Sequence, residues 1–145
     1  MEANPVPSPQ PVCTLVIADD DSTSRCWLRG LAKRLGFSVS AEAANGDEAI
    51  QAVIRTKPDL VLLDVSMPIK TGPHAIPAII AAHPAVRVVM LTSIADEGTV
   101  TECIEKGAVG YIRKDSSADE INRVLASLRA EIEGFHRQKG LHVGP

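Results

Sequence analysis

The stretch from Val16 to Thr23, VIADDDST, places three adjacent acidic residues after an apolar run. Two carboxylates about 5 Å apart repel each other by roughly 3–4 kcal/mol at an effective dielectric constant of about 20, so a compensating group is expected. A divalent cation is one such group, because it prefers carboxylate oxygens. The other interpretation is a helix N-terminus, where Asp and Ser side chains cap free N–H groups and favour the helix dipole.

Three more polar residues stand directly after apolar segments of the chain. Asp64 ends PDLVLLD, Thr92 ends VRVVMLT and Lys114 ends VGYIRK. In doubly wound parallel sheets, ligands bind beyond the carboxyl ends of the strands, where the strand order reverses. A strand order of 2-1-3-4-5 therefore brings these three residues into one crevice with Asp19 and Asp20.

Three carboxylates, one hydroxyl and one amine suit a phosphoryl-transfer site. Mg²⁺ commonly takes one or two carboxylates together with water and phosphate oxygens. One carboxylate can act as a nucleophile and form an acyl phosphate. An amine and a metal neutralise charge on the transferred group, and a hydroxyl donates a hydrogen bond to its oxygens. Each residue taken singly also fits a capping or solvated role, but recurrence at the ends of four strands favours a shared site.

The elements that must position these residues are five short apolar segments alternating with five segments of helical period. The predicted strands are Cys13–Ala18, Ser38–Ala43, Leu60–Leu63, Val86–Leu91 and Val109–Ile112. The predicted helices run from Ser22 or Thr23 to Leu35, from Asp47 to Thr56, over about Pro73–His83, over about Asp96–Lys106, and onward from a capping box at Ser117 and Glu120. This alternation predicts an α/β fold with a parallel sheet and helices on both faces.

Two details of the helices can be tested against the structure. The helical period places Trp27 on one apolar face with Leu28 and Leu31, packed toward the core. Pro77 lies inside the third helix, where it removes one backbone hydrogen bond and predicts a kink.

The 145 residues suit a single domain, and the net charge of −3 argues against a chain that binds nucleic acid mainly by electrostatics. No apolar run has membrane-spanning length, and the N-terminus lacks a signal-peptide pattern. Cys13, Cys26 and Cys103 form no C-x-x-C pair and are expected to be buried thiols in a reducing compartment, so a cytoplasmic location is predicted. The four histidines lack metal-ligand spacing and are assigned surface or packing roles.

The chain divides into three parts by composition. Residues 1–11, MEANPVPSPQP, are rich in proline and predict a disordered leader. Residues 12–133 carry the strand and helix alternation and form the predicted domain. Residues 134–145 are expected to follow the last helix as a C-terminal extension or the stub of a linker.

Taken together, these motifs resemble the receiver domains of two-component response regulators. The matching segments are VIADDD, PDLVLLDVSMP, MLTS and KGAVGYIRKDSSADEI, and the resemblance covers about residues 12–133. It implies a flavodoxin-like (βα)5 doubly wound sheet with strand order 2-1-3-4-5. The version GYIRKDSS is similar to receivers that precede helix-turn-helix output domains.

The resemblance also implies a role for each acidic residue of the site. Asp64 accepts a phosphoryl group from a histidine kinase or a histidine phosphotransfer protein. The implied cofactor is Mg²⁺, with Asp20 as a direct ligand and Asp19 acting partly through water. Asp64 and the backbone carbonyl of Ser66 complete the protein ligands.

A switch in a protein-interaction face is the implied response to phosphorylation. Thr92 reorients toward the phosphoryl group, Lys114 pairs with it, and Tyr111 swings inward. The contact face comprises the fourth helix, fifth strand and fifth helix, and a homodimer through that face, or through the first and fifth helices, is a further hypothesis. No direct nucleic-acid or membrane partner is expected.

Some residues depart from the family pattern. Asp21 adds a third acid, for which helix capping is the favoured interpretation, and Thr71 replaces the usual acidic residue before Gly72. His74 then falls near the site in the alignment. Whether the chain stands alone or belongs to a longer regulator stays open.

Two alternatives to a phosphorylated receiver stay open from the residues. In the first, the chain is a pseudo-receiver, a binding module that is never phosphorylated. In the second, Asp19, Asp21 and Thr23 form a D-x-D-x-T pattern similar to haloacid-dehalogenase-type phosphohydrolases, with Asp19 as nucleophile. Asp115 and Asp119 would then supply carboxylates for the metal.

Overall fold

The computed structural model describes residues 13–93 and 97–143, and the side chains only as far as residue 138. The predicted leader at residues 1–11 lies outside the described residues. The strands are β1 (Cys13–Ala18), β2 (Phe37–Ala43), β3 (Leu60–Asp64), β4 (Arg87–Thr92) and β5 (Gly110–Arg113). The helices are α1 (Ser22–Arg34), α2 (Gly46–Thr56), α3 (Gly72–Ala82), α4 (Glu97–Lys106) and α5 (Ala118–Val143).

The five strands form one parallel sheet in the order β2-β1-β3-β4-β5. The flavodoxin-like topology predicted from the sequence is therefore confirmed. β1 and β3 lie in the interior of the sheet and are apolar on both faces, as expected where helices cover each side. Because all strands run the same way, their carboxyl ends meet at one edge of the sheet.

Alternate residues of each central strand enter two separate cores. In β1, Leu15 and Ile17 face one core together with residues of α1 and α5. Val16 and Ala18 face the other core, which contains residues of α2, α3 and α4. This is the two-residue period of an extended strand, and it places helices on both faces of the sheet.

The surface of α1 differs from the prediction. The expectation that Trp27 packs toward the core is wrong, since its side chain is 44% exposed. Cys26 is also exposed, whereas Cys13 and Cys103 are buried as expected. Leu28, Leu31 and Ala32 already fill the buried stripe of α1, so residues 26 and 27 turn toward solvent.

One helix contains an internal proline within about its predicted bounds, and another continues past its predicted end. α3 runs from Gly72 to Ala82 with Pro77 inside it. α5 continues to Val143, so residues 134–143 belong to this helix and do not form a separate segment after it. No helix in the described ranges combines the length and apolar character that crossing a membrane requires.

Candidate functional site

The first acidic residues of the site follow β1 and are held in place by the backbone. The amide of Asp19 donates to the carbonyl of Ala43 on β2 at 2.9 Å, which continues the sheet register by one residue. Its carboxylate Oδ1 accepts the amide of Asp21 at 2.9 Å. The guanidinium of Arg25 donates to the Asp19 carbonyl at 2.6 Å. Asp19 is fully buried and Asp20 is exposed, so one carboxylate is fixed and its neighbour faces the solvent.

Asp21 is the N-cap of α1. Its carboxylate accepts the amide of Thr23 at 3.0 Å and the hydroxyl of Ser24 at 3.1 Å. The hydrogen bond from the Thr23 amide is the main reason that the pKa of Asp21 lies below its ordinary value. The capping interpretation is thus confirmed for the third acid of the triplet, and it leaves Asp19 and Asp20 for other chemistry.

Asp64 is the last residue of β3 and is almost completely buried. Its Oδ2 accepts a hydrogen bond from the Nζ of Lys114 at 2.9 Å, and its Oδ1 accepts the amide of Ser66 at 3.1 Å. The same Nζ lies 2.6 Å from Oδ2 of Asp19. One ammonium therefore bridges two buried carboxylates that come from different strands.

Two of the three groups in this bridge, Asp64 and Lys114, have raised pKa values. Burial raises the pKa of Asp64 to about 6, although Lys114 and the Ser66 amide act in the other direction. Burial alone would lower the pKa of Lys114, but its hydrogen bonds to Asp19 and Asp64 outweigh that effect and raise it. The ammonium stays charged, while the Asp64 carboxylate is held in a less favourable environment than water.

One oxygen from each of Asp19, Asp20 and Asp64 lies within 4.8 Å of the other two. Three carboxylates and one ammonium carry a formal charge of −2, which matches a divalent cation. Carboxylate oxygens are also the donors that Mg²⁺ and Ca²⁺ prefer. The donor set therefore fits a hard divalent ion.

Thr92 and Tyr111, the two predicted switch residues, lie in different environments. Thr92 is buried at the carboxyl end of β4, and its carbonyl accepts the amide of Lys114 at 2.8 Å. Tyr111 on β5 is 46% exposed and turned to the outer surface. The structure thus brings Asp19, Asp20, Asp64 and Lys114 into contact range, with Thr92 at the end of the strand beside Asp64.

A cleft of about 740 Å³ opens beside the acidic cluster. Residues from the site, from the N-terminal turn of α3 and from α4 line it: Asp20, Ser66, Pro73, His74, Thr99 and Glu102. The ring Nδ1 of His74 lies 3.0 Å from the hydroxyl of Thr71. The departures at positions 71 and 74 therefore form a contacting pair at the rim of the cleft.

Some supporting residues were not singled out from the sequence. A Cβ at Gly72 would lie 2.3 Å from the carbonyl oxygen of Asp64, so glycine lets α3 approach the end of β3. Arg25, which holds the carbonyl of Asp19, reads in the sequence as an ordinary charge of an amphipathic helix. For Gly72, the available sequence signal was a glycine that follows the strand-end acid Asp64. No nearby residue in the sequence distinguishes Arg25 from other helical arginines.

The phosphohydrolase alternative required carboxylates at positions 115 and 119. Asp115 instead pairs with Arg113 at 2.8 Å on the surface, and Asp119 lies in the first turn of α5. Within the part of the chain that the structure describes, Asp19, Asp20 and Asp64 are the group that could hold a metal. The geometry does not support the phosphohydrolase assignment.

Comparisons with known proteins give the family. The family model for the response regulator receiver domain matches residues 15–126. The chain is 37% identical over 111 residues to the chemotaxis protein CheY of Listeria monocytogenes, covering 77% of this chain and 93% of that protein. It is 36% identical over 117 residues to the transcriptional regulatory protein LnrK of Bacillus subtilis, covering 80% of this chain. The chain spans only 53% of the length of LnrK.

Solved structures agree with this assignment. A two-component response regulator of the LuxR family from Aurantimonas superposes with a TM-score of 0.73 at 30% identity, covering 81% of this chain and 87% of that one. The CheX–CheY–BeF3–Mg²⁺ complex from Borrelia burgdorferi gives a TM-score of 0.75 at 26% identity, covering 79% and 87%. The chain therefore belongs to the response regulator receiver family of two-component systems.

Proposed function

We propose that the chain is a phosphoryl-accepting switch in which Asp64 receives a phosphoryl group from a phosphohistidine. The donor is a histidine kinase or a histidine phosphotransfer protein. The observation that carries this proposal is the Lys114 ammonium, which bridges Asp64 and Asp19 at 2.9 and 2.6 Å inside the acidic cluster. A lone strand-end acid would need no such bridge.

In the transfer step, an oxygen of the Asp64 carboxylate attacks phosphorus and forms a new P–O bond. The P–N bond to the donor imidazole breaks, its electron pair stays on that nitrogen, and the product is an acyl phosphate. Lys114 neutralises charge on the transferred group. The amide of Ser66, which binds Oδ1 of Asp64, fixes the orientation of the nucleophile.

Asp19, Asp20, Asp64 and the backbone carbonyl of Ser66 would hold Mg²⁺. The metal supplies charge neutralisation at the phosphoryl oxygens when it is bound. Asp19 is fixed by the Asp21 amide and by its own backbone, whereas Asp20 is exposed at the mouth of the cleft. The protein thus contributes one rigid and one accessible carboxylate on the β1 side.

The switch reads the new charge through Thr92 and Tyr111. A phosphoryl group adds acceptor oxygens at the position that Asp64 now presents to Lys114. The Thr92 hydroxyl moves to donate to one of them, and Tyr111 leaves its half-exposed position on β5 for the space behind Thr92. Charge-assisted hydrogen bonds of this kind contribute about 1.5–3 kcal/mol each, a sizeable share of the roughly 5.5 kcal/mol that a complete two-state switch requires.

Intact mass after incubation with Mg²⁺ and acetyl phosphate tests the proposal. The wild-type chain is expected to gain one phosphoryl group, Asp64→Asn none, and Asp19→Asn markedly less. Asp115→Asn is the matched control, because Asp115 is adjacent to Lys114 in sequence but lies outside the cluster, and it should label like wild type. An adduct that persists in Asp64→Asn would place the acceptor elsewhere. No adduct on any variant, with a known receiver labelled in parallel, would favour the pseudo-receiver.

The proposed output surface is the face formed by α4, β5 and α5. Three apolar side chains that line one groove on it are 40–58% exposed: Val109, Tyr111 and Val124. A cluster of exposed apolar residues is typical of a protein-interaction site. Light scattering with and without beryllofluoride, with Asp64→Asn as control, tests whether the partner is a second copy. A mass that stays monomeric under both conditions would exclude the homodimer and leave another protein as the partner.

A further inference from the structure

The inside of α3 contains a carbonyl group without its normal helical donor. Residue 77 is proline, so it has no N–H to donate to the carbonyl of Pro73, four residues earlier. The ring of a helical proline also crowds that carbonyl and turns it away from the helix axis. A carbonyl in this position needs another donor, because an unpaired and partly buried acceptor is costly.

The replacement donor comes from the neighbouring helix. The Nζ of Lys106, the last residue of α4, lies 3.4 Å from the Pro73 carbonyl oxygen. The same ammonium pairs with Glu102, one turn earlier on α4, at 2.9 Å. The Lys106 side chain is only 30% exposed, so its contact with the carbonyl is partly shielded from water.

Two further contacts join α4 to α3 around this lysine. A Cβ at Gly107, which has a φ of +121°, would lie 2.3 Å from Cδ1 of Ile80 on α3. Cys103 is fully buried in the core that contains Ile76 and Ile79. The C-terminal end of α4 is thus seated on α3. Pro73 on α3 and Glu102 on α4 both line the cleft beside the acidic cluster.

We propose that Lys106 replaces the amide that Pro77 lacks and thereby ties α4 to α3 across the cleft. The tie requires both residues, because Pro77 leaves the Pro73 carbonyl without its helical donor and Lys106 donates to that carbonyl. It restrains α4 in the conformation without a phosphoryl group. Its loss frees that wall of the cleft to move.

A double-mutant cycle in unfolding free energy tests the tie. Lys106→Met in the wild-type background should raise the unfolding equilibrium constant about 3- to 10-fold. This is less than the usual size for a hydrogen bond with a charged donor, because the contact is long and the site is partly exposed. Pro77→Ala restores the helical amide, so the Pro73 carbonyl no longer needs the lysine. In the Pro77→Ala background, Lys106→Met should cost less than about 2-fold. Equal costs in both backgrounds would overturn the proposal.

Lys57 offers a matched control. Its Nζ also donates to a carbonyl of α3, that of Ala82 at 2.6 Å, but this acceptor lies at the end of the helix and does not depend on Pro77. Lys57→Met should therefore cost the same with proline or alanine at position 77. Amide hydrogen exchange adds a local readout: Lys106→Met should speed exchange in α4, and only when residue 77 is proline. A uniform change across the domain would contradict a local tie.

The coupling of the tie to the site rests on the proposed function. Pro73 and Glu102 line the cleft beside the acidic cluster, so a group bound at Asp64 lies next to the two helices that the tie joins. Beryllofluoride with Mg²⁺ should then bind Lys106→Met more tightly than wild type, by no more than the factor by which the tie stabilises the free form. Equal or weaker binding would overturn the coupling. If wild type does not bind beryllofluoride at all, the proposed function fails, while the cycle still decides the tie.

Discussion

The two ends of the parallel sheet each hold a largely buried aspartate, but the surroundings of the two carboxylates differ. At the amino end, Asp59 accepts the amide and the hydroxyl of Thr14 at 2.9 and 3.2 Å, and His136 lies 3.0 Å from its other oxygen. At the carboxyl end, Asp64 shares a single ammonium with Asp19 while Asp20 lies close by. Both carboxylates have a neighbouring group at each oxygen, but only Asp64 belongs to a cluster in which three carboxylates share one ammonium.

This difference fits a structural role for Asp59 and the acceptor role proposed for Asp64. Other side chains also contact each other at the amino end of the sheet. The guanidinium of Arg87 lies 5.5 Å from the centre of the Phe135 ring. Around Asp64, burial raises the pKa to about 6 and the local charge calls for a cation that the chain itself does not supply. Groups held in an environment that penalises their charge are typical of binding and catalytic sites.

The largest expected effect is the loss of the bridging lysine. Lys114→Met leaves two buried carboxylates facing each other and should cost about 2–3 kcal/mol of unfolding free energy in EDTA, somewhat less than a fully buried pair because Lys114 is partly exposed. Adding Asp64→Asn should recover more than half of the loss. Urea unfolding measures both values. Lys70→Met, which breaks only the exposed pair with Asp47, is the control and should cost about 0.5 kcal/mol or less.

Removing each aspartate should give effects of opposite sign. Asp59→Ala leaves the Thr14 amide without its side-chain acceptor and should destabilise the domain by about 1–3 kcal/mol. Asp64→Asn relieves the excess negative charge and should stabilise the metal-free domain by about 1–2 kcal/mol. Urea unfolding in EDTA at neutral pH measures both. A loss of stability in Asp64→Asn would mean that the Lys114 bridge fully compensates the cluster.

The pH dependence of the unfolding free energy should come mainly from Asp64, at the carboxyl end of the sheet. The folded pKa of Asp64, about 6, lies above its ordinary value of 3.8. Its stabilising contribution is therefore complete below the unfolded pKa and is lost as pH rises through about 6. Relative to Asp64→Asn, the wild-type chain in EDTA should lose roughly 1–3 kcal/mol between about pH 4 and pH 7. A flat difference across this range would show that Asp64 titrates with an unshifted pKa.

Mg²⁺ should stabilise the domain only through the acidic cluster at the carboxyl end of the sheet. At ten times its dissociation constant, Mg²⁺ should stabilise the wild-type chain by about 1.4 kcal/mol at neutral pH. The shift should vanish in Asp19→Asn and persist in Asp59→Asn. Thermal unfolding across a Mg²⁺ titration at constant ionic strength measures it. A shift that survives in Asp19→Asn would place the cation outside the acidic cluster.

The strand ends explain why much of the fold and site could be predicted. Each central strand is an apolar run that ends in one polar residue, and parallel topology brings such ends together, so Asp19, Asp64 and Lys114 could be grouped before any distance was known. The cap formed by Asp21 could also be predicted, because capping depends on residues only two or three positions apart. The position of Trp27 was not, since helical period alone does not say how wide the buried stripe is.

Contacts between segments that are distant in the sequence could not be predicted from the hydrophobic pattern or the motifs. Asp59 meets Thr14 and His136 across 45 and 77 positions of the chain, and none of the three stands in a recognisable motif. The hydrogen bond from Lys106 to the Pro73 carbonyl depends on Pro77, four residues further along α3. It also depends on the close packing of Gly107 against Ile80. Each such pair is specified by packing of whole helices.

The sequence by itself determined the α/β alternation and the identity of the acids at the carboxyl edge, because these follow from local period and from parallel topology. The strand order followed only from the resemblance to receiver domains and was then observed in the sheet. The tertiary structure alone decided that Lys114 bridges Asp19 and Asp64, that Tyr111 faces outward, and that Lys106 serves the carbonyl freed by Pro77. The physical reason is how far apart in the sequence the interacting groups lie. Secondary structure is set by neighbours along the chain, whereas charge compensation is set by groups that only folding brings within hydrogen-bond distance.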